Sequence, residues 1–129
     1  MIVLDASAAV ELVLATGSGA AVARRLRGEA LHAPAHFDVE AIGAIRRAVI
    51  RRLLSDHEGL VSVADFQSLP VRRWPTKALA QRAYQLRHTH TVADGMYVAL
   101  AEGLEAPLVT CDERLAQSHG HDADIELLA

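Results

Sequence analysis

The chain has 129 residues, 51% hydrophobic and 22% charged, with 13 Lys and Arg against 16 Asp and Glu for a formal net charge of −3. That length fits one domain over residues 1–129, and the apolar content supports a real core and excludes a disordered chain. The small negative charge excludes nucleic-acid binding by bulk charge alone, though not a local basic patch. Aromatics make up only 4%, so the core falls to Leu, Val, Ile and Ala. Cys111 is the only cysteine, which rules out an intrachain disulfide and suits a reducing compartment. The apolar start Met1–Leu4 is broken by Asp5 and Glu11 and has no basic residue before it, a poor signal peptide. Nothing approaches the roughly 20 apolar residues of a membrane span. These features predict a soluble cytoplasmic protein with no membrane partner.

Ile2-Val3-Leu4 is wholly apolar and ends in an acid, the pattern of a central parallel strand buried on both faces. A helix is predicted from Ala8 to Leu14 with Ser7 as its cap, then a break over Thr16–Gly19 and a second helix over Ala20–Arg27, stopped by Gly28. Ala30–Ala33 before Pro34 reads as a strand. The longest helix is predicted from His36 to Leu54, packing through Val39, Ile42, Val49 and Leu53, with Asp38 and Glu40 suiting its N-terminal dipole. Ser55–Gly59 reads as a turn, Ser62–Leu69 as a short helix, Val71–Trp74 as an edge strand and Thr76–His88 as a helix capped by Thr76. A helix over Asp94–Glu102 stopped by Gly103, a strand over Pro107–Thr110, a short helix over Glu113–Ser118 and an edge strand over Ile125–Leu128 complete the chain. Strands alternating with helices predict an α/β/α sandwich around a central parallel sheet.

In such a sheet, sites form beyond the carboxyl ends of strands. Asp5 and Asp112 each stand at or just past the end of an apolar strand, Glu40 lies early in the long helix and Asp94 at a helix start. Four carboxylates brought together would repel and raise one another's pKa values unless a hard divalent cation compensated them. Acids such as Asp56, Glu58 and Asp65 carry no such positional signal and read as solvated charges or caps.

The order of four segments is more specific than any acid alone: an apolar strand followed by Asp5-Ala6-Ser7, then Val39-Glu40 in a long helix, then Asp94-Gly95-Met96-Tyr97-Val98-Ala99-Leu100-Ala101, then Leu108-Val109-Thr110-Cys111-Asp112-Glu113-Arg114-Leu115. This resembles the PIN-domain ribonucleases, particularly the VapC-type toxins of toxin–antitoxin pairs, over essentially the whole chain. The resemblance implies an RNA phosphodiesterase with Mg²⁺ or Mn²⁺ in an acidic pocket, an RNA substrate, a cognate antitoxin that covers the pocket, and a homodimer. It carries the acidic positions onto Asp5, Glu40, Asp94 and Asp112, and the family's hydroxyls onto Ser7 and Thr110. Asp5, Asp94 and Asp112 would hold the metal, with Glu40 a further ligand or a proton acceptor. Ser7 and Thr110 either orient ligands and water or serve as a helix cap and a strand-end bond. Where the family commonly has an aromatic before the third acid, Ala93 stands here, and Gly95 follows at a cost of up to about 1 kcal/mol inside a helix.

Arg46, Arg47, Arg51 and Arg52 crowd the long helix, and helical spacing puts Arg47 and Arg51 on the side of Glu40, as a solvated face or as phosphate contacts. His88, His90, His119 and His121 have the spacing of a transition-metal site but read as surface loop residues. Cys111 reads as a small buried filler, and Trp74, Tyr84 and Tyr97 as core or interface residues. Two other readings share the length: a receiver-like phosphoacceptor domain, opposed because the only Lys, Lys77, lies in a predicted helix, and a PIN module that binds without cutting, opposed by the complete acidic set.

Overall fold

The centre of the molecule is the apolar tripeptide at the start of the chain. In the computed structural model, which describes residues 1–129, Ile2–Leu4 form β1, and all three side chains are fully buried. β2 (Leu31–Pro34) and then β3 (Val71–Trp74) extend the sheet on one side; β4 (Leu108–Thr110) and β5 (Ile125–Leu127) extend it on the other. The order is β3-β2-β1-β4-β5 and every pairing is parallel, Val3 standing opposite both His32 and Leu108. The chain therefore builds outward from β1 in one direction and returns to its other side at β4. That switch lies between the carboxyl ends of β1 and β4, where connections diverge and leave a crevice.

Seven helices connect and cover the strands: α1 (Ala6–Leu14), α2 (Gly19–Leu26), α3 (Phe37–Ile50), α4 (Asp56–Gln67), α5 (Ala80–Gln85), α6 (Val92–Leu104) and α7 (Glu113–Ala116). A 3-10 turn over Thr76–Leu79 precedes α5. Thr76 makes no capping bond, so the helix expected over Thr76–His88 is a 3-10 turn followed by a six-residue helix. α6 starts at Val92, capped by Thr91, whose hydroxyl accepts the Asp94 N–H at 3.1 Å, and runs through Gly103 to end at Glu105 in the left-handed conformation (φ 51°).

Two expectations fail for instructive reasons. α3 does not pack through Val39 and Leu53, which are 75% exposed; its buried stripe is Phe37, Ala41 and Ile45, one every four residues. Phe37 meets Phe66 of α4 with ring centroids 5.0 Å apart, and this aromatic contact selects the inward stripe among two apolar ones. The helix ends at Ile50, and Leu53 lies beyond it, past Arg52 in the left-handed conformation. Second, Ser55–Gly59 is the first turn of α4. Ser55 Oγ accepts the Glu58 N–H at 3.1 Å while Glu58 Oε1 accepts the Ser55 N–H at 2.8 Å, a reciprocal capping box. Gly59 is no turn marker: a Cβ there would stand 2.5 Å from Val49 Cγ2, so its missing side chain lets α4 seat against α3.

Candidate active site

Each acid singled out by sequence is delivered to the crevice by a different element. Asp5 follows β1 and is the N-cap residue of α1; Glu40 lies in the first turn of α3; Asp94 lies in the first turn of α6; Asp112 follows β4 and caps α7. All four line one cavity of about 340 Å³, together with Ser7, Arg47 and Arg114. Thr110 is fully buried beneath it. Of the α3 arginines, Arg47 reaches the cavity; Arg51 is the residue that ends the helix and Arg46 lines a different, apolar groove between α3 and α4.

Asp5 is 6% exposed, and its carboxylate is held by a small network. Oδ2 accepts from Ser7 Oγ at 2.5 Å and from Thr110 Oγ1 at 2.8 Å. Each hydroxyl in turn accepts a backbone N–H from the turn after β4: Cys111 to Ser7 at 3.0 Å and Asp112 to Thr110 at 2.9 Å. Ser7 is not the cap of α1: it lies within the helix and its oxygen accepts from Cys111, while its single proton goes to Asp5, as does that of Thr110. Asp5 Oδ1 makes no hydrogen bond and is not sealed from solvent. Burial, opposed by those two hydroxyls and reinforced by the charges of Glu40 and Asp94, pushes the Asp5 carboxyl above its ordinary range.

Glu40 is positioned by a residue that the sequence presents as core or interface. Tyr97, fully buried one helical turn after Asp94, donates its hydroxyl to Glu40 Oε1 at 2.7 Å. Burial first, then the charges of Asp5 and Glu40, keep the phenol protonated far above its usual value. His36 Nε2 stands 3.0 Å from Ala93 O, a pure acceptor, so that nitrogen carries the proton; it is also 3.4 Å from Glu40 Oε1. Glu40 Oε2 takes no partner from the protein. The i, i+3 spacing from Asp94 to Tyr97 was the available signal, since it puts both on one face of α6.

Asp94 rests on a close helix contact. A Cβ on Gly95 would lie 3.1 Å from Ala83 O and 3.2 Å from Ala83 Cα, so glycine lets the start of α6 press onto α5. That accounts for the glycine beside the third acid. Arg114, which sequence reasoning did not single out, places Nη2 3.3 Å from Asp94 Oδ2 and 3.5 Å from Asp112 Oδ2. Asp112 Oδ1 meanwhile accepts the N–H groups of Arg114 at 2.9 Å and Leu115 at 3.4 Å.

The donor set is all oxygen and rich in negative charge, the chemistry of a hard divalent cation. No three His, Cys, Asp or Glu side chains close on a single point. The set therefore fits an ion that keeps several waters and takes a few carboxylates, as Mg²⁺ does, and does not fit an all-protein cage. None of His88, His90, His119 and His121 lines the acidic cavity: His90 is buried against His121 at 5.5 Å, edge to face, and bonds to Thr89 at 2.8 Å. Cys111 packs half-buried against the core, and burial raises its thiol above the usual value, consistent with a filler.

A family model described as the PIN domain matches residues 2–119. The chain is 78% identical over its full 129 residues to Ribonuclease VapC12 of Mycobacterium tuberculosis, covering 100% of both. It is 37% identical over 128 residues to Ribonuclease VapC1 of the same species, covering 98% of this chain and 96% of that one. Among solved structures, Mycobacterium tuberculosis VapC20, a Sarcin-Ricin loop cleaving toxin, superposes with a TM-score of 0.66 at 16% identity over 90% of this chain and 93% of that one. PAE2754 from Pyrobaculum aerophilum gives 0.64 at 20% identity over 95% and 87%. At these identities the two structures establish the fold alone.

Proposed function

The chain belongs to the PIN-domain family, within its VapC-type ribonucleases, and from that premise we propose that Asp5, Glu40, Asp94 and Asp112 form the centre at which it cuts RNA, acting as the toxin of a toxin–antitoxin pair. One observation supports the assignment: these four carboxylates, brought from four separate elements, line one cavity at the sheet's switch point with Glu11 as a fifth acid and only Arg114 and Arg47 as lining cations. Asp5, Asp94 and Asp112 would hold Mg²⁺ or Mn²⁺, with Glu40 beside them. Such an ion, when bound, polarises a phosphoryl oxygen and acidifies a coordinated water.

The chain's own residues supply the rest. Ser7 and Thr110 pin Asp5 Oδ2 and so aim Oδ1 into the cavity. Tyr97 pins Glu40 Oε1, which keeps Oε2 to accept a proton from the attacking water. Arg47 stands at the cavity as a phosphate contact. The reading includes a cognate antitoxin that sets a basic side chain against the acids; the approach of Arg114 to Asp94 and Asp112 supports it by showing that the pocket accepts a guanidinium. It also includes a homodimer and a cytoplasmic location, where the RNA targets lie. No single helix is long and apolar enough to cross a membrane.

The test is cleavage of labelled total RNA by purified protein in Mg²⁺, in Mn²⁺ and in EDTA, with mass spectrometry first establishing that no antitoxin co-purifies. Discrete products that require the ion and vanish in Asp94→Asn are expected. Antitoxin-free protein that leaves total RNA intact under every condition would overturn the nuclease in favour of a binding module.

A further inference from the structure

Asp94 and Arg114 line a second cavity as well as the acidic one, so the two are contiguous across that pair. The second cavity, about 430 Å³, lies between the α5–α6 connection and α7, and its lining is polar except for Leu115. Apart from the shared Asp94, its charged lining is basic, Arg87 and Arg114, and Arg87 stands exposed on the α5–α6 connection. Arg87 pairs with no carboxylate; its guanidinium lies over the Tyr84 ring, 4.7 Å from the centroid, and donates to Tyr84 O at 3.3 Å. Tyr84 does not line the cavity but is 62% exposed, so an aromatic ring stands directly beside the unpaired guanidinium that does.

We propose that this cleft is the subsite for single-stranded RNA next to the cut, with Arg87 and Arg114 on backbone phosphates and Tyr84 stacking on a neighbouring base. The inference rests on the ribonuclease reading and adds where the substrate lies. A free guanidinium, Arg87, beside an exposed aromatic, with Arg114 shared with the acids at the far side, is the pairing that single-stranded nucleic acid uses: phosphates meet the cations and bases find a π-face. An acidic protein segment would use the arginines but has no use for the ring. Continuity through Arg114 means that a strand entering the cleft reaches the acidic pocket without leaving the surface.

The experiment is fluorescence anisotropy of a labelled single-stranded RNA oligonucleotide with the full chain in EDTA, where no cleavage occurs, over a salt series. Arg87→Ala is expected to weaken binding roughly tenfold at low salt and to lower the slope of log Kd against log salt by about 0.7, the value of one single-strand phosphate contact. Tyr84→Ala is expected to weaken binding by about fivefold or more while leaving the slope unchanged, as loss of stacking requires. Both residues are exposed, so neither variant threatens the fold. Wild-type affinity and slope in both variants would overturn the subsite, as would an equal loss of slope in Arg24→Ala on α2, which would mark bulk charge. Competition by a polyglutamate peptide as strong as by RNA, with Tyr84→Ala silent, would reassign the cleft to an acidic protein partner. Metal-dependent cleavage with binding indifferent to Arg87 sinks the subsite alone; absence of both cleavage and RNA binding sinks the ribonuclease reading with it.

Discussion

Asp94 and Glu102 sit on the same helix about two turns apart, and the protein treats them in opposite ways. Glu102 is clasped by Arg82 of α5 through two parallel bonds of 2.8 and 2.9 Å and also accepts the Asp122 N–H at 2.9 Å. Arg82 first, and then that backbone bond, hold its carboxyl below the usual range against the cost of burial. The same forked clamp recurs where Arg25 ties α2 to Glu126 of β5 at 2.6 and 3.0 Å, and where Arg73 of β3 holds Asp38 of α3 at 3.1 and 2.7 Å. At the other end of α6, Asp94 meets one exposed arginine at 3.3 Å, and Asp5 is buried with no cation in contact. The chain has 13 basic side chains, and it spends its best geometry on staples and leaves the pocket with the two long contacts of a single exposed arginine, Arg114. The carboxylates that stabilise the fold are those already neutralised; those available to a cation are the ones left out.

Variants should split along that line. Asp94→Asn is expected to reduce RNA cleavage by more than about 100-fold, beyond what loss of a supporting outer partner costs a metal site, with the thermal unfolding midpoint unchanged. Gly95→Val is the intended breach of the split: a branched side chain against Ala83 should cost roughly 1–3 kcal/mol of stability and, by shifting the start of α6, reduce cleavage too. Thermal unfolding and cleavage rates on one preparation read both. Tyr97→Phe should lower cleavage by about tenfold, the scale of one oriented hydrogen bond, while circular dichroism stays that of the parent; unchanged cleavage would remove Tyr97 from the positioning of Glu40.

Glu102→Gln should do the reverse of Asp94→Asn. Cleavage is expected to hold, while stability falls by about 1 kcal/mol after allowing for the solvent around Arg82, or roughly 3–5 °C in Tm. Its pH dependence is the smallest and most diagnostic effect. Because the folded-state pKa of Glu102 lies below the ordinary 4.5, the clamp contributes fully above that pH and is lost as pH falls through the folded value. The Tm gap between parent and Glu102→Gln should therefore be constant near neutrality and close below about pH 4.5. A gap that persists into stronger acid would mean that packing around Glu102, and not its charge, holds α5 to α6.

Much of this was legible in the chain. The five strands stand where the sequence predicted them: β1 and β4, buried on both faces, are unbroken apolar runs that tolerate an acid only past their ends, while β3 and β5, which carry Arg72, Arg73 and Glu126, lie at the sheet's edges. Asp5 and Asp112 were readable from that rule, and the order of the four acidic segments predicted which acids would meet. Helix boundaries were less legible. The Ser55–Glu58 box looked like a turn because its residues favour turns and caps alike, and the inward stripe of α3 depended on where Phe66 would stand. The spacing from Asp94 puts Tyr97 on the face of the third acid, but that it tethers Glu40, and that Arg114 meets Asp94, depend on where α3 and α7 come to stand.

What the sequence determined by itself is whatever depends on neighbours along the chain: strand and helix periods, the acids at strand ends and the family's order of motifs. What only the tertiary structure decided is which arginine meets which carboxylate. Arg82 and Glu102 are 20 residues apart, Arg25 and Glu126 101 apart, and Arg114 and Asp94 20 apart again. Charge pairing is set by distance in space and by water excluded around each pair, and neither exists until the helices have closed on the sheet.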